Sequence, residues 1–196
     1  MANVDVTDAV SKYVQNPVCT PESAHSSRFR IRTVHVNELL AGEVESLVWC
    51  EAYNPPGSFR IDLWWFPDIT PTTDLRKWYL LYPERWYEFR RRYRNQLAAR
   101  SSVCEQLRIL ACQTELTLVY QRGAINQNMA AVIEEQLIQL ECQHRWNEGL
   151  MIGGYTYPVR NEIIAQGGLW FTKHKTWMMP DRKSWESIVD MLPGDF

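Results

Sequence analysis

The sequence predicts an α/β protein in which a parallel or mixed sheet is covered by helices and followed by a smaller C-terminal module of order β-α-β-β-α. Three observations lead there. Short apolar runs of strand period near residues 29–36, 44–52 and 116–120 are separated by a long segment of helical period. After Trp146 the texture changes to short elements punctuated by Gly-Gly pairs. The chain has 196 residues, 45% of them hydrophobic, which suits one ordinary domain with a small appendage.

Met1 to Ser27 mixes Val, Asp, Asn, Pro and Ser without sustained period, so a mobile N-terminal tail or strap is expected. RFRIRTVHV then alternates apolar with basic or polar residues from Phe29 to Val36, the period of a half-buried strand. VESLVWCEA supplies a second strand, and NPPG at Asn54 to Gly57 a turn, since Pro fixes φ and Gly tolerates positive φ. TPTTDLRKW offers Thr72 or Thr73 as a helix N-cap, and Pro83 stands where a second helix would begin. In that helix Trp86, Phe89, Tyr93 and Leu97 form one apolar stripe. A further helix is predicted over Val103 to Cys112, a buried strand at LTLVY (Leu116–Tyr120), and a helix from Met129 to Leu140 with Ala130, Ile133, Leu137 and Leu140 on one face.

The domain boundary is expected near Asn147 to Leu150, separating an α/β domain over 28–146 from a module over 150–196. In the module, Pro158 opens a short helix and Gly167 and Gly168 close it. LWFT and TWMM pair across KHK, and Trp185, Ile188, Val189 and Leu192 give the last helix its buried stripe.

Composition narrows the function classes. A net charge of −2 argues against a chain built chiefly to coat nucleic acid, while leaving room for a local basic face. Nine Trp and nine Tyr are destined for core anchors or flat contact surfaces. Cys19, Cys50, Cys104, Cys112 and Cys142 are odd in number and form no CxxC pair, so they read as reduced thiols. No signal peptide and no membrane span is recognisable, so a cytoplasmic protein without a membrane partner is expected. Cys142 and His144 form a CxH pair, but two further zinc ligands would have to come from distant cysteines, and no metal site is expected. P-loop, GxGxxG, HExxH and G-x-S-x-G signatures are absent, and no cofactor is expected.

In DLWWFPDITPTTDLRKWYLLYPERWYEFRRRYRNQL, the positions Trp65, Asp68, Pro71, Thr73, Leu75, Arg76, Trp78, Pro83, Glu84, Arg85, Trp86, Phe89 and Tyr93 carry a pattern that continues at Tyr120, Asn128, Ala130 and Val132. With these residues the segment from about Arg28 to Gln143 resembles the YeaO-like bacterial family of unknown function. That resemblance implies a small, Rossmann-like, mainly parallel sheet. The departures fall on polar positions: Pro67, Leu81, Gly123 and Met129 stand where the family has Lys, His, Lys and His, and its DR pair has no recognisable counterpart around VWCEAYNPPG. A general acid or base needs an ionisable group in place, so the comparison implies a degenerate copy without the family's chemistry.

The tail also resembles a short tryptophan-rich module found beside helicase, primase and plasmid or phage DNA-processing domains, through Tyr157, Pro158, Val159, Arg160, Gly167, Gly168, Trp170, Lys175, Trp177 and Pro180. Trp170 and Trp177 would lie on adjacent strands with Lys173 and Lys175 at the hairpin, which suits base stacking and phosphate contact; the same tryptophans would equally fill the core of so small a module.

Arg90, Arg91 and Arg94 on the aromatic helix are either a solvated face or phosphate contacts. Arg76 and Arg85 either brace helices or leave an anion site. Asn126 and Asn128 stand where a strand ends and a helix begins, so with Arg76 and Tyr120 they would line a vestigial pocket; capping the helix is their ordinary role. The reading is a non-enzymatic binding or accessory protein whose partner is nucleic acid or a DNA-processing protein. The alternatives are a protein–protein adaptor or inhibitor, and an enzyme acting on a nucleotide-like small molecule.

Overall fold

A computed structural model describes residues 28–39, 46–53, 55 and 63–192. The predicted N-terminal tail and, apart from Pro55, the predicted Asn54–Gly57 turn lie outside the described residues. The chain divides into two compact units, one described over 30–137 and the other over Arg28–Phe29 and 138–192.

The first unit is built on strands β1 (Ile31–His35), β2 (Ser46–Trp49), β3 (Trp64–Trp65) and β4 (Leu116–Tyr120), all parallel and ordered β1-β4-β2-β3. Every residue of the two internal strands, β2 and β4, is buried, as an apolar run covered on both faces requires. Edge strand β1 is only half buried. The short strand β3 has no sequence signature of its own. It is set by pairing of Val48 with Trp64 and Trp49 with Trp65.

Helix α1 (Thr73–Leu81) starts at an N-cap on Thr72, whose hydroxyl accepts from the Leu75 N–H at 3.4 Å. Helix α2 (Trp86–Ala99) buries the predicted stripe of Trp86, Phe89, Tyr93 and Leu97. It begins after Pro83 rather than at it. The Arg85 N–H donates to the Tyr82 carbonyl at 3.0 Å, so Pro83 takes the second position of a tight turn between the two helices, where its fixed φ is equally well suited. Helix α3 (Ser101–Gln113) buries Val103, Leu107, Leu110 and Ala111.

Helix α4 (Met129–Asn147) runs on beyond the predicted end at Leu140, and the division between units falls at Leu137/Ile138 rather than near Asn147–Leu150. The physical reason is the burial pattern of its last turns. Cys142 and Trp146 pack with Phe171 and Met178, and Arg145, 1% exposed, donates to the carbonyls of Gly167 at 3.0 Å and Met178 at 3.1 Å.

The second unit carries an antiparallel sheet of order β5-β7-β6, from β5 (Met151–Ile152), β6 (Leu169–Phe171) and β7 (Thr176–Met178). Its two faces follow from the register. Ile152 and Trp177 join Val159, Ile163 and Ile188 in one cluster, against helices α5 (Arg160–Ala165) and α6 (Arg182–Val189). Phe171 and Met178 join the end of α4 on the other. The predicted stripe of α6 is present, and Asp181 caps it by accepting from the Ser184 N–H at 2.8 Å. Gly167 ends α5 with φ at +83°, and a Cβ on Gly168 would stand 2.4 Å from Ile163 Cγ2, so the Gly-Gly pair is required by conformation and by close approach respectively. Among the described residues no helix is long and apolar enough to cross a membrane.

Candidate functional site

In a parallel sheet the carboxyl ends of neighbouring strands deliver loops to one edge, where ligands bind. Neighbours β2 and β4 do this in the first unit. The residues after β2, Glu51 to Tyr53, and those after β4, Arg122 and Gly123, border a cleft of about 360 Å³ closed on its other sides by Tyr79, Trp86, Phe89 and the start of α4. The lining is mainly apolar and aromatic, with Tyr79 stacked on Phe89 at 4.3 Å between ring centroids.

Glu51 is the polar centre of this cleft. Its carboxylate is 1% exposed, and Oε1 accepts from the backbone N–H groups of Gln121 and Arg122, each at 2.9 Å, which pins the loop after β4 to the end of β2. Oε2 is buried with no hydrogen-bond partner among the described residues. Arg76 reaches from α1 with long contacts, Nη1 to the Ala52 carbonyl at 3.4 Å and Nη2 to Thr73 Oγ1 at 3.3 Å, and its buried Nε has no partner among the described residues. Arg122 lies 5.5 Å from the Tyr53 ring centroid, and the Tyr53 hydroxyl donates to Gln121 Oε1 at 2.5 Å. Burial first, and then the charge of Glu51, raises the Tyr53 hydroxyl above its ordinary value against the opposing pull of Arg122. Burial likewise raises Tyr79, and holds the neighbouring Cys50 thiol well above its usual range, so it stays protonated at neutral pH.

Of the four residues predicted for a vestigial pocket, Arg76 and Asn128 line this cleft. Asn128 serves as a cap: its Oδ1 accepts from the Ala131 N–H at 2.8 Å, and its Nδ2 donates to the Ala124 and Ile125 carbonyls. Tyr120 is instead buried, edge-on to His35 at 5.3 Å, and Asn126 lies in the exposed turn between Ala124 and Gln127. Glu51, Tyr53, Lys77 and Arg122 border the cleft and escape the motif comparison. Their signal was positional, being the first residues past two strands and the exposed side of α1.

The arginine run is mostly occupied. Arg90 makes a two-pronged pair with Glu135 at 2.8 and 2.6 Å, and Arg94 joins the same carboxylate at 3.1 Å. Arg92 pairs with Glu88 and lies 4.4 Å from the Trp78 centroid. Arg91 is exposed, on a shallow groove shared with Tyr87 and Asn95.

In the second unit the two tryptophans part company. Trp177 is 9% exposed and sits in the core, whereas Trp170, edge-on to it at 5.2 Å, is 44% exposed on edge strand β6. Of the two rings that the sequence offered for stacking, only Trp170 is open to solvent, because Trp177 is on the central strand and packs in the cluster with Val159, Ile163 and Ile188. Lys173 and Lys175 are exposed in the β6–β7 turn, with Lys175 in the left-handed region at φ 52°. His174 stacks on Trp146 at 4.1 Å. Since Ile152, Trp177 and Trp170 are in register, the segment leaving β5 and this turn emerge at the same end of the sheet. That segment carries Tyr155 and Tyr157, both more than two-thirds exposed, and leads into exposed Arg160.

Among the described residues no group of three or more His, Cys, Asp or Glu is placed to hold a metal ion. Burial pushes the Cys142 thiol up to about 12, and His144 pairs with Glu148 at 3.2 Å.

Residues 56–149 match the family model described as the inactive DUF488-N3 subclade, DUF488-N3i, a family to which the YeaO-like proteins are related. The match ends before the C-terminal sheet. Uncharacterized proteins of Mycobacterium bovis and of Mycobacterium tuberculosis are 34% identical over 73 residues, which is 37% of this chain. The chain spans 61% of the length of those relatives. No solved structure matches the chain.

Proposed function

We propose that this is a non-enzymatic binding protein whose second unit contacts single-stranded nucleic acid. The observation that carries the reading is that the turn with exposed Lys173 and Lys175 and the segment with exposed Tyr155, Tyr157 and Arg160 leave the same end of the three-stranded sheet, with exposed Trp170 on its edge strand. Aromatic faces accept successive bases whatever their sequence, and flanking cations hold the phosphates between them. Absence of chemistry rests on the first unit. The cleft lining, all of it described, contains no His, Cys or Ser, one oxygen of its single carboxylate is committed to two backbone N–H groups, and the Cys50 thiol beside it is held protonated. The description of the matching family as inactive agrees with that reading.

The test is a fluorescence-anisotropy titration of the full chain with a labelled 15-nucleotide single strand at several salt concentrations. Binding that weakens with salt is expected, with a log–log slope reduced by about 1.4 when Lys173 and Lys175 are both changed to Ala, at about 0.7 per phosphate contact. No binding at 20 mM salt, or an unchanged slope in the double variant, refutes the reading.

A further inference from the structure

We propose that the cleft at the ends of β2 and β4 binds a nucleoside monophosphate whose base carries an amino group. The site lies wholly in the first unit and does not depend on the reading of the second. Its chemistry is specified by what the chain leaves unsatisfied. A buried carboxylate oxygen without a donor is costly, and Glu51 Oε2 has none among the described residues. Oε1 already takes two backbone N–H groups, so the open demand is for a ligand N–H at Oε2.

The surrounding charge has the opposite requirement. Arg76, Lys77 and Arg122 face the cleft against the single carboxylate of Glu51, and none of the three makes an ion pair among the described residues. Among the described residues Arg76 keeps a buried Nε without an acceptor and holds its other nitrogens by long contacts. These cations call for an anion with several acceptor oxygens. The lining also includes the aromatic rings of Tyr53, Tyr79 and Phe89, which favour a flat ring. A donor edge, a planar ring and a terminal anion together describe an aminated nucleobase joined to phosphate. The volume of about 360 Å³ is that of a small-molecule site.

The experiment is isothermal titration of the full chain with adenosine 5′-monophosphate, purine riboside 5′-monophosphate (which lacks the amino group), adenosine and inorganic phosphate. The first should bind about tenfold or more tightly than either of the next two, since each lacks one partner for a buried or charged group. Phosphate alone should bind most weakly. Glu51→Gln should erase the preference for the amino-bearing base. Lys77→Gln, on the exposed side of α1, should weaken the monophosphates and leave adenosine unchanged even if the Glu51 variant fails to fold. The proposal is overturned by no saturation with adenosine monophosphate at 5 mM, by equal affinity for the amino and deamino ligands, or by Lys77→Gln weakening adenosine equally. Single-strand binding by the second unit would survive any of these failures, so the two readings are separable.

Discussion

Trp170 and Trp177 are neighbours on paired strands, and replacing each by alanine should give opposite outcomes. Trp177 is 9% exposed, beside Ile152, Ile163 and Ile188. Truncating a buried Trp costs about 3–5 kcal/mol. The second unit, described over 138–192 with Arg28 and Phe29, would have a total stability on the order of 3–9 kcal/mol. Trp177→Ala should therefore remove much or all of its folding free energy. Trp170 is 44% exposed, and its loss should cost under about 1 kcal/mol of stability. Binding reverses the ranking: one stacking aromatic contributes about 1–3 kcal/mol per base, so Trp170→Ala should weaken single-strand affinity about 5- to 150-fold. Urea unfolding followed by circular dichroism, with anisotropy titrations on the folded variants, measures both. A Trp170→Ala protein that folds and binds as tightly as wild type would refute the assignment of the surface. A Trp177→Ala protein within 1 kcal/mol of wild type would refute the assignment of the core.

Two further outcomes test the packing. Arg145 and Glu141 form an almost fully buried pair at 2.7 Å, and Arg145 also donates to the Gly167 and Met178 carbonyls, so Arg145→Met should cost about 3–5 kcal/mol by breaking a buried pair and removing those donors, and Glu141→Leu added to it should restore part of that loss in the same urea assay. The thiols give a pH test. Burial raises Cys104 to about 11 and Cys142 to about 12, from an ordinary value of 9.0, so the folded state retains protons that the unfolded state releases. Their contribution is present in full below about pH 9 and lost progressively between about 9 and 12. The urea midpoint should fall over that window, and less steeply in Cys142→Ala. A midpoint flat to pH 11 would contradict the burial of these thiols.

Much of the framework was legible because it is written in local periodicity. Trp86, Phe89, Tyr93 and Leu97 fall on one helical face whatever surrounds them, and LTLVY is too apolar for any place but the interior of a sheet. Caps were legible for the same reason, since Thr72 and Asn128 act on N–H groups three residues away. The two-residue strand β3 was not legible, because only its pairing with β2 makes it a strand. Nor was the length of α4, whose last turns are held by the C-terminal sheet rather than by their own pattern.

The site divides along the same line. The sequence by itself determined the α/β class, the apolar stripes and the Gly-Gly stop at 167–168. Tertiary structure decided which groups share a space. Glu51 meets the N–H groups of residues 121 and 122 across about seventy positions of chain because β2 and β4 are neighbours in the sheet, and Arg76 arrives from a helix between them. It also decided that Trp170 is open and Trp177 closed, although both lie in similar short strands beside the same lysines. Burial depends on what covers a residue, and at Trp177 the cover comes from segments distant in sequence, beyond the reach of any local period.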